Sequence, residues 1–113
     1  MTDTIKTVDN SEAMFQAKVI QLAKANGWMV FHPRKSQDRT GRWLTALAGD
    51  AGFPDLVLAH PKRGLVFAEL KSARGVLSQA QKQWLYALSQ HGEVYMWQPK
   101  DLQAIADRLG RQP

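Results

Sequence analysis

The chain reads as a single α/β domain in which one mixed sheet is flanked by helices, the elements running α, β, β, β, α, β, α. Three observations carry that reading. A length of 113 residues allows one compact core but not two. Three stretches space their apolar residues as helices do, and four short β-prone runs lie between them. No repeat, low-complexity tract or linker divides the chain.

Residues 1–9 lack apolar periodicity and are expected to form a flexible N-terminus, so the domain is assigned to residues 10–110. Asn10 or Ser11 offers an N-cap for a first helix whose buried stripe is Phe15, Val19, Leu22 and Ala23, and Asn26-Gly27 stops it. Trp28 to His32 is β-prone. Pro33 to Phe53 is long, polar and rich in Gly and Arg, without periodicity of either kind. Leu56 to Ala59, a turn at Pro61 and Gly64, and Leu65 to Lys71 then read as a β-hairpin. Ser78 caps a helix to about Gln90 that bears Leu77, Trp84, Leu85 and Leu88 on one side. Val94 to Trp97 is a short strand, and Pro99 opens a last helix with Leu102, Ile105, Ala106 and Leu109 on one face.

Composition narrows the chemistry. Apolar residues at 44% and charged residues at 22% are those of an ordinary globular domain. Fifteen Lys and Arg against ten Asp and Glu give a net charge of +5, which favours a polyanionic partner such as nucleic acid. The absence of cysteine excludes disulfides, a thiolate zinc site and a cysteine nucleophile. His32, His60 and His91 show no ligand spacing, and no phosphate-binding glycine loop or nucleophile elbow is present. The apolar runs are too short to span a bilayer and Met1 to Asn10 has no signal-peptide core, so no membrane partner and a cytoplasmic location are expected.

The hairpin brings acids together. If Ala59 pairs with Leu65 across a His60 to Gly64 connection, Asp55 falls opposite Glu69, with the two Cβ atoms roughly 4.5–5.5 Å apart. Alternation along the strand places Glu69 and Lys71 on one face and Leu70 on the other, in the core. Adjacent carboxylates repel unless a proton or cation intervenes, and hard oxygen donors suit Mg²⁺ or Mn²⁺. The bland alternative is an Asp55 that caps a turn after Pro54 and a solvated Glu69–Lys71 pair on an edge strand. Gln81 shares the inward helix face, where its amide needs a partner: a water of the metal, a catalytic carboxylate or a backbone group.

Gly52-Phe53-Pro54-Asp55-Leu56, then Glu69-Leu70-Lys71 fourteen positions after the aspartate, then Leu77-Ser78 with Gln81, resembles the virus-type replication-repair nuclease (VRR-NUC) family of the PD-(D/E)XK superfamily. The similarity is read from Glu12 to about Leu109. It implies a restriction-endonuclease-like fold and metal-dependent hydrolysis of DNA. Asp55, Glu69 and the backbone carbonyl of Leu70 would hold Mg²⁺ or Mn²⁺, and Lys71 would orient the attacking water and stabilise transition-state charge. It also implies roles for Glu12 and Gln81 in fixing the metal's waters, with Glu12 a further candidate ligand; by position alone Glu12 is equally a first-turn residue offsetting the helix dipole.

Stand-alone members of this size look like junction-resolving enzymes. Paired cuts in a four-way (Holliday) junction, as in DNA repair, suit a C₂ homodimer. Flap, end or single-strand cleavage, or DNA-structure binding without cutting, are the alternatives. Arg34, Lys35, Arg39 and Arg42, in the long polar segment with Trp43, are the first candidates for phosphate contact; Lys62, Arg63, Arg74 and Lys82 are the second group. A solvated loop is the competing reading of the first cluster.

Overall fold

The computed structural model describes residues 3–33, 36–37, 43–44 and 49–110, with side chains described for 11–33 and 49–110. Helix α1 (Asp3–Ala25) is followed by β1 (Met29–Phe31), β2 (Ser36–Gln37), β3 (Trp43–Leu44), β4 (Leu56–His60) and β5 (Gly64–Leu70). Helix α2 (Gln79–Ser89), β6 (Glu93–Trp97), a 3₁₀ turn (Pro99–Asp101) and α3 (Leu102–Leu109) complete the chain. The main sheet has the order β1-β4-β5-β6, antiparallel except for the β5–β6 pair, and β2 with β3 forms a separate two-stranded ribbon.

Mixed pairing follows from the connections. A tight turn can join β4 to β5 only as antiparallel neighbours, whereas the crossover through α2 returns β6 parallel to β5. The hairpin register is the expected one: Ala59 pairs with Leu65. The connection is shorter than expected, because His60 and Gly64 also pair and leave only Pro61, Lys62 and Arg63 outside the ladder.

Alternation then sorts the two faces. Leu56, Leu58, Val66, Ala68 and Leu70 point to one side, where they form a core with Phe15, Val19 and Ala23 of α1, Ile105 and Leu109 of α3, and Trp28 and Trp97. Val57, Phe67 and Glu69 point to the other, where Phe53 bridges sheet and α2 by edge-to-face contacts with Phe67 (6.1 Å) and Trp84 (5.0 Å). No residue of α2 is fully buried, so its Leu85 and Leu88 face is only half covered. Leu102, expected on the inward face of the last helix, is 40% exposed.

Arg63 ties the hairpin turn to the end of α3. Its guanidinium donates to the carbonyls of Arg108, Gly110 and, at 3.1 Å, Leu109. These carbonyls have no partner within the helix, so a cation there satisfies them and offsets the negative end of the dipole. Arg63 and Arg108 also lie over the Trp28 ring at 5.5 and 5.0 Å, while Trp28 Nε1 donates to the Leu109 carbonyl at 3.0 Å.

Three expectations are corrected. Helix α1 begins at Asp3 rather than after Asn10 or Ser11; residues 3–11 contain neither Gly nor Pro, so nothing in the backbone stops the helix there. The element order gains the β2–β3 ribbon, whose two-residue strands are too short to show periodicity. Pro99 opens a 3₁₀ turn that leads into α3 rather than the α-helix itself. Among the described residues, no helix is long and apolar enough to cross a membrane.

Candidate active site

Asp55 immediately precedes β4, and the register that pairs Leu56 with Ala68 sets it opposite Glu69. Its Oδ2 accepts from the backbone N–H of Leu70 at 2.9 Å. Its backbone carbonyl accepts from His32 Nδ1 at 2.8 Å, which requires the proton on that ring nitrogen. The approach to Asp55 needs Gly52: its φ is +99°, and a Cβ there would lie 2.6 Å from the backbone carbonyl carbon of Ala80 in α2. The loop and the helix therefore lock together at the residue before Gln81.

Glu69 is 2% exposed, the one buried charged residue among the described residues. One of its oxygens, Oε2, accepts from Gln81 Nε2 at 3.0 Å and lies 3.6 Å from Lys71 Nζ. The other, Oε1, is buried without a hydrogen-bond partner among the described residues. Burial first, then the charge of neighbouring Asp55, push the Glu69 carboxyl up to about 7 despite the opposing pull of Lys71.

Gln81 realises two of the partners expected for it. While its amide N–H₂ holds Glu69, its Oε1 accepts from the Ser78 backbone N–H at 2.9 Å and its own N–H donates to Ser78 Oγ at 3.2 Å. This capping box opens α2 and at the same time aims the amide at the carboxylate. A Ser-x-x-Gln start is thus both a helix signal and part of the site.

The donor set suits a hard divalent cation. Two neighbouring carboxylates, one of them driven toward protonation and carrying a buried oxygen without a hydrogen-bond partner among the described residues, offer oxygen ligands that such a cation would satisfy. The set has two carboxylates, since no group of three His, Cys, Asp or Glu side chains gathers among the described residues. Glu12, half-buried in α1, does not complete a third position.

The basic candidates separate by place. Arg74, in the turn after Lys71, and Lys82, the residue after Gln81 in α2, are exposed. Lys62 and Arg63 sit at the far end of the hairpin, about 17 Å along the strands from Asp55 at some 3.4 Å per residue. Arg63 is moreover committed to α3. Arg34, Lys35, Arg39 and Arg42 lie outside the described residues.

Sequence patterns had not pointed to Gln98, whose amide donates to carbonyls of the turn after Lys71. The parallel register that sets Leu70 beside Trp97 is the fact that finds it.

An α/β sheet that presents paired carboxylates and a lysine from one hairpin, with a helix amide behind them, defines a class of nuclease domain. The sequence profile of the VRR-NUC domain matches residues 16–98, and the chain belongs to that family. The match takes in Asp55, Glu69, Lys71 and Gln81 and begins after Glu12. Neither the curated proteins nor the solved structures offer a match.

Proposed function

We propose that this nuclease domain is a Mg²⁺- or Mn²⁺-dependent DNA endonuclease selective for branched DNA such as four-way junctions, acting as a homodimer. The observation that carries the metal-dependent reading is the buried Glu69 Oε1, which has no hydrogen-bond partner among the described residues while Oε2 of the same carboxylate is held by Gln81 and Lys71. Asp55, Glu69 and the Leu70 carbonyl would hold the ion, which when bound supplies a Lewis acid for a phosphate oxygen.

The protein's own groups do the rest. The Leu70 N–H fixes Asp55, and Gln81 fixes Glu69, so neither carboxylate has to reorganise. Lys71, at the mouth of the site with its side chain 19% exposed, brings a fixed positive charge to a phosphate and to the charge that develops on it during attack by water. Gln81, held by the helix cap, has no charge to repel the substrate. Arg74 and Lys82, exposed and close in the chain to Lys71 and Gln81, would supply further phosphate contacts.

Branched-DNA selectivity rests on family membership and the symmetry of paired cuts. The test is cleavage of end-labelled four-way junction, flap, linear duplex and single strand with Mn²⁺, together with sedimentation of the free protein. Preferred, paired cutting of the junction by a dimer is expected. Preference for flaps, ends or single strands replaces the substrate assignment, and binding without cutting by an intact protein overturns the enzymatic one.

A further inference from the structure

Lysine is a poor instrument for placing a charge, since its four-carbon stem has many rotamers and confining it costs about 2 kcal/mol of entropy. The surroundings of Lys71 address that problem. Leu70 pairs with Trp97, and the Lys71 N–H donates to the Trp97 carbonyl at 2.9 Å, which sets Gln98 alongside the lysine. Gln98 Nε2 donates to the carbonyls of Ser72 (3.0 Å), Ala73 (3.3 Å) and Gly75 (3.4 Å). Its backbone N–H is itself held by Asp101 Oδ2 at 2.8 Å. The turn closes on itself through a Gly75 N–H to Ser72 carbonyl bond of 3.0 Å.

This pinned turn folds back over the lysine. A Cβ added at Gly75 would stand 2.9 Å from Lys71 Cβ and 3.2 Å from Lys71 Cδ. Both lie inside van der Waals contact, and the first involves the root of the side chain, which cannot swing away. The glycine thus forms a wall against the stem, and at the end of that stem Nζ reaches Glu69.

We propose that Gln98 and Gly75 are positioning residues for Lys71, the glutamine by pinning the turn and the glycine by moulding the lysine stem. The inference rests on the nuclease reading for its kinetic consequence but not for its structural one. Neither residue touches substrate or ion. A purely structural Gln98 would satisfy turn carbonyls and leave Lys71 where it is.

The test uses the full chain as Gln98→Leu and Gly75→Ala, assayed with Mn²⁺ on the best cleaved DNA and by NMR of lysine labelled with ¹³C at Cε, Lys71 being assigned by its loss in Lys71→Ala. Both variants are expected to keep KM and lose about 100-fold in kcat, the scale of a misplacement near 1 Å. Their Lys71 Cε signal should gain the fast motion of a free surface lysine. Unchanged kcat or an unchanged Lys71 signal in folded variants overturns the proposal. Should Gln98→Leu fail to fold, Gly75→Ala carries the test, since it leaves the glutamine in place. A wild-type protein that cuts nothing defeats the nuclease reading, and the NMR comparison then decides the positioning of Lys71 by itself.

Discussion

Replacing Glu69 by glutamine keeps the shape of the side chain and an oxygen to accept from Gln81, but removes a carboxylate that the fold holds against its preference. The carboxyl is raised from 4.5 to about 7, largely by burial and then by Asp55. The folded state therefore binds this proton more tightly than the unfolded chain does. Stability is unaffected by the group below pH 4.5, falls as pH rises from 4.5 to about 7, and stays reduced above it. At 1.36 kcal/mol per unit, the penalty at pH 8 is about 3 kcal/mol. Glu69→Gln should recover that amount, on the order of 10 °C in Tm for a domain of this size. The assay is thermal unfolding of both proteins in EDTA from pH 4 to pH 8. The difference should be largest at pH 8 and vanish near pH 4, and Mn²⁺ should narrow it by stabilising only the carboxylate form. A Glu69→Gln protein no more stable than wild type at pH 8, or a gap that ignores pH, would refute the account of Glu69 as a carboxylate waiting for a cation.

Other perturbations read different parts of the molecule. Arg63→Ala loses its bonds to the end of α3 and its place over Trp28, so it should cost about 2–4 kcal/mol in urea unfolding while DNA affinity is retained. Arg74→Ala and Lys82→Ala should each lower the salt-dependence slope of DNA binding by about one, whereas Lys62→Ala, at the far end of the hairpin, should leave it unchanged. Cleavage should stop with EDTA and return with Mn²⁺, and Ca²⁺ should allow binding with little cutting because its coordination is larger and looser. Full activity after chelation would remove the ion from the mechanism.

The heart of the site was legible because a hairpin is a local object. A turn at Pro61 and Gly64 between two alternating runs fixes the Ala59 to Leu65 register, and that register alone sets Asp55 against Glu69. Local patterns also sufficed for the Ser78 cap and the inward face of Gln81. What escaped depends on pairing between distant segments. The β5–β6 register joins residues separated by a whole helix, so the meeting of Gln98 with the turn after Lys71 has no signature in either segment. Arg63 was grouped with the DNA-contacting basics because charge in a turn looks the same whether it faces solvent or the carbonyls of a helix 45 residues away. The β2–β3 ribbon consists of two-residue strands, below the length at which alternation can be seen.

The central claim is that Asp55 and Glu69 form the ion-dependent cutting centre of the domain, and Asp55→Asn isolates it. The substitution preserves an oxygen for the Leu70 N–H and leaves the His32 bond to the backbone carbonyl untouched, so the fold and DNA affinity should survive. Side-by-side time courses of wild type and Asp55→Asn on a labelled four-way junction, with Mn²⁺ and with EDTA, give the measurement. Cutting by wild type in Mn²⁺ alone, with none by the variant in either condition although it still binds the junction, is the predicted result; wild-type rates from Asp55→Asn, or cutting by wild type in EDTA, would contradict it.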